Sequence, residues 1–291
     1  MRFATHTLAY PRSHWVQVDG LDRHWNRATV DAEILEPSAL KVSTHNVSGL
    51  TLRVPMSRLD PTIDSMRVHV DEDAVDIPIF RVTDGSPQIS LHKRRGHWKR
   101  GALATSGPRK NSVVHGPIDD AFTRRFLMVR PTGPAMNDTL GRWVEAEMYH
   151  ALEEWRAQFR GEARVRDDVE LTEADIRTHD LILWGDPESN RMLRRILGKL
   201  PLRWTSSQLR FQGERYLPDE HLPVLIYPNP LNPDRYIVLN SGFTFSEFGH
   251  QSNSLQTPKL PDWAVVNMTV PRPDRLRNGI AAAGFFDERW R

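Results

Sequence analysis

The sequence predicts an α+β protein in two parts: an N-terminal antiparallel β-sandwich over residues 1–104, followed by an open α/β domain of the doubly wound type over residues 112–291. Three observations lead to this prediction. The length of 291 residues is about that of two average domains. Apolar residues alternate with polar ones in the first third of the chain, whereas compact apolar runs alternate with helical patterns in the rest.

Composition and charge narrow the class of protein. Hydrophobic residues make up 39% of the chain and charged residues 26%, as expected for a folded chain. The 39 basic and 37 acidic residues give a net charge of +2, and the basic residues are spread along the chain, so nucleic-acid binding is not indicated. Without any cysteine, disulfides, thiolate metal sites and a cysteine nucleophile are excluded.

The sequence has no recognisable targeting signal. Residues Met1 to His6 lack the apolar run of a secretory signal, and no later stretch approaches the ~18 apolar residues of a membrane span. We therefore expect a soluble protein without membrane contact. The compartment stays open at this point, and so does assembly into a homo-oligomer.

Short runs of alternating apolar and polar residues predict the strands of the sandwich. One predicted hairpin turns at Asp71-Glu72-Asp73 and another at Arg94-Arg95-Gly96. The acidic turn is also compatible with calcium, but it lacks the alternating ligand spacing of an EF-hand loop, so a solvated turn is favoured. Four tryptophans are expected to be exposed and available for an interface: Trp15, Trp25, Trp98 and Trp290.

The polar segment Thr105 to Asn111 contains Ser106-Gly107-Pro108 and is the predicted domain boundary. Beyond it, the clearest helix begins at Asn137 or Asp138 and ends before Gly161, with an apolar stripe that includes Trp143 and Trp155. A capping box at Thr172 to Asp175 opens a shorter helix, and Asp186 and Pro187 are predicted to begin another. Buried strands are predicted at 126–129, 181–184, 224–227 and 236–239, with two more within 263–270 and 280–286.

The sequence lacks the common catalytic and nucleotide-binding motifs. G-x-S-x-G does not occur, and although Ser106 and Ser241 stand beside glycine, neither has the flanking residues of a nucleophile elbow. Neither phosphate-binding loop, G-x-x-x-x-G-K-[ST] or G-x-G-x-x-G, is present. The sequence thus disfavours both a serine hydrolase of the usual pattern and a nucleotide-binding protein.

One local cluster has residue types suited to catalysis. His115, Asp119 and Asp120 place an imidazole and two carboxylates within six residues, as general acid/base chemistry or cation binding would require. Asp119 and Asp120 are equally suited to capping a helix that begins near Ala121, and this structural interpretation is favoured. If the cluster binds a cofactor, calcium or another divalent cation is the candidate.

The ends of the predicted strands supply candidate ligand-binding residues, because ligands of open α/β sheets dock there. The segment Tyr227 to Pro233 holds three prolines and two asparagines, and a rigid structural turn is favoured over a binding loop. The candidates chosen by position are Arg130, Thr132, Asp186, Asn190, Asn229, Asn232, Asn240 and Ser241.

Four segments resemble the C-terminal region of large bacterial hydrolases identified as prolyl-oligopeptidase-like peptidases or esterases. They are His14 to Leu21, His115 to Phe122, Leu183 to Asn190 and Tyr227 to Pro233. In that family the catalytic triad belongs to an α/β-hydrolase domain that precedes the part resembled here, so the resemblance transfers no catalytic residue. The resemblance also leads us to expect secreted relatives.

Two functions are therefore expected. The leading one is an accessory or binding module of hydrolase ancestry that lacks the serine triad and has an α/β-hydrolase catalytic domain, or a small ester or lactone ligand, as its partner. The alternative is a stand-alone hydrolase of carboxylic esters or lactones that uses a divalent cation to polarise a carbonyl group and activate water. The sequence does not decide between them.

Overall fold

The computed structural model describes residues 1–36, 38–59, 62, 64–78, 87–104, 106–246, 248–249 and 252–291. It consists mostly of β-sheets, several of them antiparallel. The chain divides into two compact units: Met1–His115 with Asp287–Trp290, and Gly116–Phe286 with Arg291. The sequence placed the boundary earlier, at 105–111, and gave no sign that the C-terminal segment belongs to the first unit; Thr105 lies outside the described residues. Among the described helices, none is long and apolar enough to cross a membrane.

Among its described residues, the first unit contains two five-stranded sheets, with the orders β1-β4-β5-β7-β8 and β10-β9-β6-β3-β2. All described pairs are antiparallel except β5 with β7, which run parallel. The strands are β1 Arg2–Thr5, β2 Arg12–Ser13, β3 Val16–Leu21, β4 Ala28–Glu36, β5 Ala39–His45, β6 Val47–Arg53, β7 Ser65–Val70, β8 Asp73–Pro78, β9 Gln88–Arg94 and β10 His97–Arg100, with a 3₁₀ turn at Met56–Arg58.

Alternation along the strands builds the core of this unit. In β4, Val30 and Ala32 are buried whereas Asp31 and Glu33 are exposed, as the period of two requires. Buried side chains from both sheets belong to one hydrophobic cluster. Both predicted hairpins are confirmed, and Arg95 and Gly96 both have positive φ, as a two-residue turn of type I′ requires.

Two of the tryptophans expected to be exposed are in fact buried. Trp98 donates its indole N–H to Asp71 at 2.8 Å and its backbone N–H to Asp73 at 2.7 Å. The acidic turn is therefore an anchor for this tryptophan. Trp290 is fully buried, with the Lys110 ammonium 4.9 Å from its ring centre. The expectation was wrong because the polar neighbours of both residues suggested a surface, whereas each side chain alone turns inward.

The second unit is built on a seven-stranded sheet with the order β12-β11-β13-β18-β17-β19-β20. The first four strands in this order run parallel to one another, and the remaining described pairs are antiparallel. The strands are β11 Phe126–Arg130, β12 Val165–Asp167, β13 Asp180–Leu183, β14 Leu202–Thr205, β15 Gln208–Phe211, β16 Glu214–Tyr216, β17 His221–Asn229, β18 Asn232–Leu239, β19 Trp263–Asn267 and β20 Ile280–Gly284.

Helices connect the parallel strands: α1 leads from β11 to β12, α2 from β12 to β13, and α3 follows β13. The helices are α1 Asp138–Phe159, α2 Glu173–Thr178, α3 Arg191–Ile196 and α4 Arg272–Asp274, with a π-helical segment Arg275–Gly279 after α4 and 3₁₀ turns at Ile118–Phe122, Asp168–Glu170, Leu197–Lys199 and Asn253–Leu255. All six strands predicted for this part of the chain are present.

The helix ends test the capping predictions. Asn137 caps α1 by accepting from the Leu140 N–H, and Thr172 forms the predicted capping box at α2 with Asp175. The prediction for α3 was wrong: this helix begins at Arg191, with Asn190 as its N-cap. The carboxylate of Asp186 instead closes the turn before the helix.

The sequence patterns did not predict a second, three-stranded antiparallel sheet, β14-β15-β16. Its strands are only three or four residues long, too short for a clear alternating pattern. Its buried side chains are Leu202, Trp204, Leu209 and Phe211, and Gln212 and Gly213 both take positive φ in the turn between β15 and β16. This sheet lies between α3 and β17 along the chain, where the sequence predicted no strand.

Limited proteolysis should distinguish the two ends of the predicted boundary segment. Residues 106–108 are exposed, whereas Lys110 is fully buried and its N–H donates to Glu288 at 2.9 Å. A protease of broad specificity should therefore cut within 106–108 well before it cuts at 109–110, because cleavage requires an accessible, unpaired backbone. N-terminal sequencing of the first fragments gives the site; equal cutting across both stretches would contradict the anchoring of Lys110.

Candidate functional site

The parallel strands β11, β13 and β18 all end on the same side of the large sheet, which we call its carboxyl edge. Three segments leave the sheet there: 131–137, 184–190 and 240–246. Ligands of open parallel sheets bind at this edge because loops of different origin meet there. Six of the eight predicted ligand-binding residues belong to these segments or stand directly before them: Arg130, Thr132, Asp186, Asn190, Asn240 and Ser241.

Asp186 joins two of these segments. Its fully buried carboxylate accepts from the backbone N–H groups of Glu188 at 2.7 Å and Ser189 at 2.9 Å, and from that of Met136 at 3.1 Å. It therefore closes its own turn and fixes the segment that leads into α1. Because these three hydrogen bonds engage both oxygen atoms of the carboxylate, Asp186 has a structural role.

The two asparagines at this edge are also bonded to backbone. Asn240 accepts from the Gly185 N–H at 2.8 Å and donates to the Gly185 carbonyl at 3.0 Å, which joins the ends of β13 and β18. Asn190 donates to the Trp184 carbonyl at 2.8 Å while capping α3. Both side chains are buried and hold the loops in place.

The other three residues at this edge are more accessible. Arg130 forms an exposed ion pair with Asp167, with Nε 2.6 Å from Oδ1. Thr132 is exposed, and the half-buried Ser241 hydroxyl donates to the Gly242 carbonyl at 2.8 Å. These are the predicted residues that a ligand can reach at this edge.

Asn229 and Asn232 lie at the opposite edge. Because β17 runs antiparallel to β18, the end of β17 and the beginning of β18 are far from the carboxyl end of β18. Asn229 accepts from the Leu231 N–H at 3.0 Å, and Asn232 donates to the carbonyl groups of Ile176 and Arg177. The structure therefore does not bring these two together with the other six.

The predicted cluster of His115, Asp119 and Asp120 spans the boundary between the two compact units. His115 is the last residue of the first unit, whereas the two aspartates belong to the second. Asp119 accepts from the N–H and the hydroxyl of Thr244, and Asp120 accepts from the Tyr236 hydroxyl at 2.6 Å. The capping interpretation was wrong, because the 3₁₀ turn begins after Pro117 and has no side-chain cap. Instead, the two carboxylates accept hydrogen bonds from residues that come more than 100 positions later in the sequence.

The environment of Asp119 changes its acidity. Burial raises its pKa to about 6, although the two hydrogen bonds from Thr244 favour the charged form and oppose the shift. Asp180, a fully buried residue paired with Arg124, has its pKa raised to about 6 by burial as well. A carboxyl group that titrates near neutral pH has the acidity of a general acid or base, but Asp119 is held by Thr244.

A groove of about 960 Å³ opens beside α1 at the carboxyl edge. Pro131 and Gly133 form one wall, and Leu140, Val144 and Met148 of α1 contribute apolar surface. Gly133 approaches the 188–189 backbone so closely that a Cβ atom there would lie 2.8 Å from the Glu188 carbonyl oxygen. Asp186 bonds to Met136 in the segment before α1 and to Glu188 and Ser189 in the segment after β13. Because both segments line the groove, the groove is preformed.

A second, much smaller cavity of about 90 Å³ lies at the same edge. From α1 it is lined by Trp143, Glu147 and His150, and it is also lined by the segment that follows β18 and by Arg272 and Arg275. Burial raises the pKa of Glu147, but hydrogen bonds from Arg275 and Arg272 outweigh that effect and keep it below its usual value. Glu147 is therefore a partly buried, ionised carboxylate.

Four residues that line this cavity were not predicted from the sequence: Glu147, His150, Arg272 and Arg275. A signal for the first two was present, because Glu147 and His150 follow Trp143 at helical spacing and so interrupt the apolar stripe of α1 with ionisable groups. No comparable signal marked the two arginines, which come from a segment 125 residues away. Within the described ranges, no group of three or more His, Asp or Glu side chains is arranged to hold a metal ion.

Asp119→Asn should flatten the dependence of stability on pH. Because the pKa is about 6 in the folded protein and near 3.8 in the unfolded chain, the folded state binds the proton more tightly between these values. The wild type should therefore lose up to about 3 kcal/mol of unfolding free energy as pH rises from about 4 to 7, relative to the variant. Urea unfolding at several pH values measures this difference; Asp180 is common to both proteins, and a constant difference would contradict the shift.

Comparison with known proteins adds no relative at this point. No protein-family model matches the sequence, and none of the curated proteins matches it. The arrangement of the carboxyl edge therefore stands on its own geometry: a preformed groove, a small charged cavity, and loops joined by Asp186 and Asn240.

Proposed function

We propose that this chain is an accessory or binding module of hydrolase ancestry that lacks the serine triad and has an α/β-hydrolase catalytic domain, or a small ester or lactone ligand, as its partner. In this proposal the first unit is a β-sandwich, and the second is an α/β domain of the doubly wound type. The parallel order β12-β11-β13-β18, with helices between successive strands, supports the second assignment. The shared hydrophobic cluster of the two sheets supports the first.

One observation carries the functional proposal. The carboxylates and amides that the sequence offers for chemistry are bonded to the scaffold. Acid/base catalysis requires a base within hydrogen-bond reach of a proton on the substrate, with the other groups arranged around it. A set of polar groups that holds loops rigid around a preformed groove favours binding over catalysis.

The groove suits a ligand with an apolar body and a few polar atoms. Leu140, Val144 and Met148 provide apolar contact, whereas Arg130 and Ser189 lie at its margin. Tyr149 also lines the groove and is 66% exposed, so its ring is free to stack on a ligand. Such a division between apolar walls and a few polar groups is typical of small-molecule sites.

The pure protein should not hydrolyse p-nitrophenyl esters or acyl lactones. With no group of carboxylates and imidazoles arranged around a cation in the described residues, neither calcium, zinc nor EDTA should change this result. Release of p-nitrophenol and opening of the lactone ring are the measurements. Turnover that needs a cation and stops with EDTA would favour the stand-alone hydrolase instead.

Tyr149→Ala should weaken binding of an acyl lactone to the groove by roughly three- to tenfold, since loss of an aromatic contact removes about 0.5–1.5 kcal/mol. Calorimetric titration measures the affinity. Tyr10→Ala is the matched control, because Tyr10 is 81% exposed and belongs to the first unit. Equal losses in both variants, or shifts of amide resonances that do not cluster at residues 131–149, would exclude the groove as the site.

A further inference from the structure

We propose that the small cavity beside Glu147 is a binding site for a short aliphatic carboxylate. It is separate from the groove, because the two share no lining residue. The proposal rests on three properties of the cavity: its excess positive charge, its buried N–H groups without acceptors, and its size with apolar walls.

The charges around the cavity do not balance. Glu147 Oε1 accepts from Arg272 Nε at 2.9 Å, and Arg275 Nη1 lies 2.5 Å from Glu147 Oε2. Among the described lining residues Glu147 is the only acidic one, so two guanidinium groups share one carboxylate. The excess of one positive charge lies in a partly buried site, where attraction for an anion is stronger than at the surface.

Three N–H groups of lining residues are buried without an acceptor in the described structure. They are the indole N–H groups of Trp143 and Trp184 and the Nε–H of Arg275. Native proteins rarely leave buried donors unpaired, and all three of these need an acceptor and not a donor. A carboxylate is acceptor-only and can bond to several donors at once, so it matches this set.

The position of Arg275 strengthens the match. Its guanidinium lies 5.1 Å from the ring centre of Trp143, and its bonds to Glu147 fix the plane of the group. The donors are thereby preorganised, and a ligand would not have to order them on binding. The Ser241 hydroxyl also lines the cavity and can turn from the Gly242 carbonyl towards a ligand.

Volume and wall chemistry select among anions. The cavity of about 90 Å³ has room for about three water molecules at ~30 Å³ each. Val224, Val266 and Ile280 give it apolar surface. Phosphate or sulfate would bring oxygen atoms against these walls without donors, whereas a short carboxylate places its hydrocarbon there and its two oxygens towards the N–H groups.

Titration of the whole protein with propionate tests the site, with propionamide as the uncharged isostere and inorganic phosphate as the competing anion. Propionate should shift the indole resonances of Trp143 and Trp184, assigned by Trp→Phe variants, with a dissociation constant on the order of millimolar or tighter. Propionamide should shift neither. No shift with propionate, an equal shift with propionamide, or tighter binding of phosphate would overturn the proposal.

Arg272→Gln provides the second arm. It removes the excess charge but leaves the pair between Arg275 and Glu147, so propionate should bind about tenfold more weakly or worse. Arg195→Gln is the control, since Arg195 is half-exposed, pairs with Glu173 and does not line the cavity. Unchanged affinity in Arg272→Gln would overturn the proposal; if that variant does not fold, the comparison of propionate with propionamide on the wild type decides it.

Discussion

The carboxyl edge of the large sheet depends on the buried carboxylate of Asp186. It binds three backbone N–H groups from two segments, one after β11 and one after β13. Hydrogen bonds to a charged group contribute about 1.5–3 kcal/mol each, so this one side chain outweighs most single contacts in the unit. Without it, the segment that leads into α1 would lose the bond at Met136 and would keep the bond from the Gly133 N–H to the Ser189 carbonyl at 2.9 Å.

The position of α1 follows from this connection, and both sites follow from α1. Asn137 caps the helix one residue after the N–H that Asp186 binds, so the first turn is fixed from both sides. From there, one face of the helix contributes Leu140, Val144 and Met148 to the groove. The adjacent face contributes Trp143 and Glu147 to the small cavity. A change in the helix start would alter the two sites together.

Sequence patterns predicted local structure well where a single interaction decides it. The alternation in β4, the cap at Asn137 and the box at Thr172 need only neighbouring residues, and all were predicted. Asp186 was misassigned as a helix cap, because an aspartate before a proline has the same local pattern whether it caps a helix or closes a turn. Burial of Trp98 depended on carboxylates 25 and 27 residues away and was not visible in the local pattern.

The candidate site was likewise predicted where local sequence decides it and not where it depends on long-range contacts. Six of the predicted residues lie at one edge, because the carboxyl ends of parallel strands lie on the same side of a sheet whatever their side chains are. It failed for Asn229 and Asn232, since the sequence does not show that β17 runs antiparallel to β18. The charged cavity required contacts between α1 and residues 125 positions later, which no local pattern contains.

Asp and Asn at strand ends are ambiguous for a physical reason. The oxygen atoms that can accept hydrogen bonds from a ligand can also accept them from the unpaired N–H groups that every strand-to-helix turn exposes. An amide or carboxylate in such a turn therefore bonds to the nearer partner, the ligand or the backbone. In this protein the side chains of Asp186, Asn190 and Asn240 form hydrogen bonds with the backbone. A ligand is then left with groups that the backbone does not engage here: the indole N–H groups of Trp143 and Trp184, aromatic faces, and a charge that no neighbour balances. Residues of these types, found where an apolar stripe should be, point to a binding site more directly than polar residues in a loop.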